Sequence, residues 1–219
     1  YALKFFHRKE QPSADPIAFL QAIQNQRFLY AIAHTPLNLQ ILCNLWEHNS
    51  DGFNFNETMT SLYQEIIQQL FLWNYKKTHP QIDAQDAVLD EGLINALGSV
   101  ALNGLTSGKL LITPTLMSKS LSNTGFRPEA LIKTGLIKNQ GNAYVFFHLT
   151  IQEYLIAVHL FHQGEKAWHK FVHEHRYDPK YALTLSFLAG HIFNHDNSME
   201  KEKIKGFFKI LNGSPFDLA

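Results

Sequence analysis

The residues best placed to do chemistry are His148, Thr150 and Glu153, which stand where a strand pattern gives way to a helix pattern. Two apolar segments, Gly135-Leu136-Ile137-Lys138 and Ala143-Tyr144-Val145-Phe146-Phe147, flank the turn-forming loop Asn139-Gln140-Gly141-Asn142 and read as a β-hairpin. Thr150 and Glu153 then have the spacing of a capping box, in which a hydroxyl and a carboxylate satisfy orphan backbone N–H groups at a helix start. Leu149 and Tyr154 fall at the positions of a hydrophobic staple. A helix N-terminus offers N–H donors and the positive end of a dipole, so it favours anions. An imidazole just upstream can donate to a phosphate oxygen without being charged. His148 is therefore a candidate phosphate ligand; the alternative is a hairpin histidine whose ring is satisfied locally.

The other reactive side chains carry less. Among the twelve histidines, His159 and His162 are three apart, and His169 and His173 four apart with His175 beyond. Such spacing puts imidazoles on one helix face, as a zinc site needs. No second cysteine accompanies them, no acidic residue completes a recognised pattern, and His173-Glu174-His175 is not an HExxH arrangement, so no metal is expected. Cys43, the one cysteine, lies in the apolar run Leu39-Gln40-Ile41-Leu42-Cys43-Asn44-Leu45-Trp46 and reads as an inert buried thiol. A single cysteine excludes an internal disulfide and suits a reducing compartment, which points to the cytoplasm.

The elements that must position these groups are helical. Asp15-Pro16 is an N-cap with proline at the first helical position, and Ile17, Leu20 and Ile23 follow as a stripe. Thr35-Pro36 repeats the device and opens a helix through Cys43, ending near His48-Asn49-Ser50-Asp51-Gly52. Leu62, Ile66, Ile67, Leu70 and Trp73 mark a third helix. Asp83 is the expected cap of a fourth, with Leu93, Leu97, Val100 and Ala101 on one face. Thr113-Pro114 and Arg127-Pro128 start two short helices, the second ending near Gly135; the hairpin and the Thr150 helix come next. From Gly164 the chain reads as helical again. At 219 residues and 45% apolar content it can bury one sizeable core or two or three small ones. The expected fold is mainly α: a helical bundle (residues 1–80), a winged-helix domain with a small β-hairpin wing (81–164), and the start of a further helical domain (165–219).

Five stretches, in order, carry a resemblance to a known family. Phe147-His148-Leu149-Thr150-Ile151-Gln152-Glu153-Tyr154-Leu155 resembles the "FxHxTxQEYLAA" signature of the winged-helix domain in NACHT-type signal-transduction NTPases. Tyr1-Ala2-Leu3-Lys4-Phe5-Phe6 resembles the "YxxKFF" that ends the nucleotide-binding core, making residues 1–14 the tail of that core. Thr35-Pro36-Leu37-Asn38-Leu39 resembles the "xPLxL" opening of a helix in the first helical domain. Thr58-Met59-Thr60-Ser61-Leu62-Tyr63 resembles "TxTxLY", and Gly135-Leu136-Ile137 the "GLL" before the wing. Together they cover about residues 1 to 165.

The resemblance implies a regulatory segment of an ATP-binding switch. Pro36 would shape the adenine pocket and His148 would contact the β-phosphate of ADP. The longer protein would bind ATP or ADP with magnesium through a P-loop domain upstream of Tyr1, oligomerise with copies of itself, and meet protein partners through flanking effector and repeat regions. A start at Tyr1 rather than Met fits an excerpt. This segment has no ATPase centre in its own sequence: Gly104-Leu105-Thr106-Ser107-Gly108-Lys109-Leu110 is one residue short of a phosphate loop, and Leu110 cannot ligate magnesium. Ala87-Val88-Leu89-Asp90-Glu91 looks like a strand ending in paired acids, but its apolar run is too short, and Asp90 and Glu91 read as a solvated helix face. No nucleotide is expected on the isolated segment. Two other classes compete. One is an α-helical interaction scaffold in which His148 is structural. The other is a DNA-binding winged helix, disfavoured because Arg127, Lys133 and Lys138 are opposed by Glu129 and Lys plus Arg equals Asp plus Glu at 19 each. No apolar run approaches the length of a membrane span, and no membrane partner is expected.

Overall fold

The computed structural model describes residues 5, 15–34, 36–48, 58–78, 89–108, 111–196 and 201–213. It is mainly helical, with eleven α-helices and a small two-stranded antiparallel sheet among these residues. Two compact units are present, Tyr1–Gln69 and Leu70–Ala219. Among the described residues no helix is long and apolar enough to cross a membrane.

In the first unit, Asp15 accepts from the Ile17 N–H at 2.8 Å and Pro16 supplies the pre-set φ that starts α1 (Pro16–Asn25). The face that α1 buries is Phe19 and Ile23, whereas Ile17 is 63% exposed, so the expected Ile17–Leu20–Ile23 stripe is rotated. The physical reason is Phe19, whose larger ring stacks edge-on against Trp46 at 5.6 Å and sets the inward direction. Helices α2 (Arg27–Ala33) and α3 (Pro36–His48) follow, and α3 encloses Cys43, whose thiol burial pushes up to about 12. Helix α4 (Met59–Thr78) runs from the first unit into the second, to which its residues from Leu70 on belong; it begins at Thr58, whose hydroxyl accepts from the Ser61 N–H, and in the first unit buries Leu62, Tyr63, Ile66 and Ile67. Helix α3 ends at His48, the first residue of the stretch where its end is expected.

The second unit is built on α5 (Glu91–Thr106), α6 (Pro114–Leu121), α7 (Pro128–Lys133), β1 (Ile137–Gln140), β2 (Ala143–Phe146), α8 (Leu149–His162), α9 (Glu165–His175), α10 (Ala182–His195) and α11 (Glu202–Asn212). Helix α5 starts at Asp90, which accepts from the Leu93 N–H at 2.8 Å. Asp83, the expected cap, lies outside the described residues. Asp90 and Glu91 are both exposed at the start of α5, as a solvated helix face requires, and Asp90 is in addition the cap. Thr113 caps α6 through the Leu116 N–H, with Pro114 at the first helical position. Helix α7 ends at Gly135, where φ is +76°, and Asn74 at the end of α4 donates to the Lys133 carbonyl there at 2.6 Å.

The hairpin pairs Ile137 with Phe146 and Gln140 with Ala143, leaving only Gly141-Asn142 as the turn. The expected four-residue loop is therefore a two-residue one. Gly141 takes φ +65° at the first central position, the left-handed value that hairpin turns demand. A third backbone segment joins β2: Ile112 and Tyr144 exchange both N–H···O bonds at 2.8 Å.

Helix α8 is buried on every side from Ile151 to Leu160, because α5 packs along one flank and α10 along the other. The α5–α8 crossing is closest at Gly98, where a β-carbon would stand 2.5 Å from the Leu155 carbonyl oxygen and collide with the His159 β-carbon. Alanine at an exposed helix position would gain about 1 kcal/mol over glycine. Here the clash with backbone outweighs that gain. Gly98→Ala is expected to lower stability by about 2–4 kcal/mol, read as a fall in the urea midpoint with an unchanged m-value.

Candidate functional site

The corner between β2 and α8 is where the candidate ligand stands. The hairpin ladder runs one bond further, from the Phe147 N–H to the Leu136 carbonyl at 2.9 Å, and His148 then turns the chain with φ −151° and ψ 146°. Those angles are the extended backbone of an N-cap, and the His148 carbonyl already accepts the first helical bond, from the Gln152 N–H. The expected capping box is thus corrected. Helix α8 begins at Leu149, and His148, not Thr150, is the cap.

The cap bond decides the chemistry of the ring. His148 Nδ1 accepts from the Thr150 N–H at 3.3 Å and lies 2.8 Å from the Thr150 hydroxyl. A backbone N–H can only donate, so this bond assigns Nδ1 the acceptor role in the tautomer that carries its proton on Nε2. The hydroxyl then donates to Nδ1 as well, and the ring proton belongs to Nε2. The half-buried imidazole therefore keeps one N–H donor for a group outside the corner. Its neighbours Phe147 and Leu149 are 47% and 45% exposed, so the corner presents an apolar rim around a donor. The exposure of Leu149 also removes the expected staple, since Tyr154 is buried and points into the core.

The residues after the cap are buried and structural. Gln152 Nε2 donates to the Ala101 carbonyl of α5 at 3.0 Å. Tyr154 meets Phe187 of α10 edge-on at 5.3 Å, and burial raises its phenol well above the usual range. Glu153 is 8% exposed, and burial pushes its carboxyl up to about 7.

No family model matches the chain, and no curated protein matches it.

Pro36 stands exposed at the first position of α3, in the first unit, while His148 belongs to the second. Thr35, the expected cap before Pro36, lies outside the described residues, as does the Tyr1–Phe6 stretch apart from Phe5. Gly104 is packed inside the last turns of α5, against Gln152 and Ile112, so the glycine pair there belongs to a helix end. His159 is committed: its Nδ1 lies 2.6 Å from Asn95 Oδ1 and its Nε2 2.7 Å from the Gln163 amide, while His162 one turn on is exposed. Among the described residues no three metal-ligating side chains converge. Three features escaped the sequence reading. Gln152 and Glu153 look like surface polar residues until both flanks of α8 are covered. The Ile112 bridge is a single residue, below the length at which alternation can register.

Two outcomes follow. His148→Ala is expected to cost about 1 kcal/mol through the lost cap, with His148→Asn within a few tenths of wild type, both read from urea denaturation. For Glu153 the folded carboxyl holds its proton more tightly than the unfolded one, so stability falls as pH rises from 4.5 to about 7. Glu153→Gln should therefore exceed wild type by about 1–3 kcal/mol at alkaline pH and converge with it in acid.

Proposed function

We propose that this chain is the regulatory segment of a NACHT-type signal-transduction NTPase: a first helical domain (residues 1–80), a winged-helix domain (81–164) and the start of a second helical domain (165–219). The element order from α5 to α8 supports the winged-helix reading. A helix, a one-residue strand at Ile112, two short helices, a hairpin wing and a closing helix follow one another, with Ile112 and β1 on opposite edges of β2. The full-length protein would be cytoplasmic, carry its P-loop domain upstream, bind ATP or ADP with magnesium there, and oligomerise on activation.

The observation that carries the proposal is the Thr150 N–H bond to His148 Nδ1 at the cap, which leaves Nε2 as the ring nitrogen available to donate at the N-terminus of α8. Held against an ADP bound by the upstream domain, that donor would reach a phosphate oxygen beside the positive end of the helix dipole. A hydrogen bond to a charged group contributes about 1.5–3 kcal/mol. Made only in the closed ADP state, it biases a closed/open equilibrium by roughly ten- to a hundredfold. Exchange for ATP and engagement of a sensor region would release the segment and permit assembly. Pro36 would line the adenine side.

The test uses the full-length protein purified without added nucleotide, then heat-denatured, with the released small molecules separated by ion exchange. Near-stoichiometric ADP is expected from wild type and a marked fall from His148→Asn, which keeps the cap through Oδ1 while its amide N–H2 stands short of the position of Nε2. Absence of nucleotide from both would favour the scaffold reading. Equal ADP in both would return His148 to a purely structural cap.

A further inference from the structure

We propose that His191 is an acid-operated latch between α8 and α10: on taking up a proton its ring leaves the seam, and α10 loosens from α8. His191 is 6% exposed, and its Nε2 is out of contact with solvent and has no hydrogen-bond partner among the described residues. The ring is held instead by aromatic faces from α8, with Phe161 stacked at 5.9 Å and Tyr154 tilted at 5.2 Å. A neutral imidazole fits that slot as a flat, weakly polar ring. An imidazolium does not, because a charge taken from water needs a partner that the seam lacks.

The groups around it add positive charge on acidification. His162 faces it from α8 and His195 from one turn along α10, with ring centroids of the two α10 histidines 6.2 Å apart. His159 on α8 is turned to Asn95 and Gln163. Beyond α10, the Asp196 carboxylate is taken up by the Lys203 and Ile204 backbone N–H groups, Lys201 donates to the Phe193 and Asp196 carbonyls, and Glu202 and Lys205 of α11 pair with each other. Burial first, then His195 and His162, lower His191 from 6.5 to about 4. With the folded value depressed, the seam's stability is present above 6.5 and lost as pH falls toward 4. Glu153, one residue from Tyr154, moves the other way, so its protonation opposes any loosening in acid and is common to wild type and the variants.

Amide hydrogen exchange of the protein at neutral pH and at about pH 5, corrected for intrinsic rates, tests the latch. Protection of the Ala182–His195 amides should fall by about an order of magnitude or more in wild type. His191→Phe, which keeps the ring stack, and His191→Leu should each hold their protection, and any response from His159 is common to all three proteins. Unchanged protection in wild type, or an equal fall in the folded variants, would overturn the proposal. The ring gives a readout without substitution: its Cε1 proton resonance should titrate in step with the loss of protection, and a ring that stays neutral while α10 opens contradicts the latch.

Discussion

At Gly98 the backbones of α5 and α8 approach until the Leu155 carbonyl would lie 2.5 Å from a β-carbon on α5, and no side chain can stand between them. That approach is clamped on both sides along the helix. Gln152 donates to the Ala101 carbonyl, and His159 joins Asn95 of α5 to Gln163 at the end of α8. Buried polar groups are costly unless satisfied, so these bonds fix one register of α8 against α5 where apolar packing alone would tolerate several. With α10 closing the opposite flank, α8 is a rigid post. Its first turn, and the hairpin that leads into it, inherit their position from that post.

The same rigidity explains how one histidine can serve both fold and ligand. An aspartate at the cap would satisfy the Thr150 N–H equally well but leave no donor behind. An imidazole has two nitrogens of opposite character when neutral: the helix takes the acceptor and fixes the tautomer, and the remaining N–H is left aimed by the ring plane. The geometry costs nothing extra because the cap is needed in any case. The proposed switch rests on this division of labour, and the exposed Phe147 and Leu149 give it an apolar rim that a docking domain could cover.

Local signals were legible in the sequence wherever a residue type acts on its own backbone. Asp15-Pro16, Thr113-Pro114 and Arg127-Pro128 each start a helix where expected, and Gly141-Asn142 turns the hairpin. What could not be read depended on contacts far along the chain. Thr150 and Glu153 have capping-box spacing, yet the strand runs straight to His148 and α8 starts at Leu149, so tertiary pairing of Phe147 with Leu136 overrides the local motif. Ile17 looks as apolar as Phe19, and only the Trp46 contact decides which one faces inward. At the site, the position of His148 was legible. Its Nδ1 commitment was not, because a one-residue shift in the helix start changes which group is the cap.

Which nitrogen of His148 carries the proton decides whether the corner holds out a donor, and long-range proton–nitrogen correlation NMR of the ring at neutral pH reads this directly. An unprotonated Nδ1 and a protonated Nε2 are expected, with the pattern preserved when Thr150 is replaced by Ser. A ring protonated at Nδ1 would mean that the Thr150 N–H is satisfied elsewhere and that no donor is held out from the corner, which would contradict the central claim.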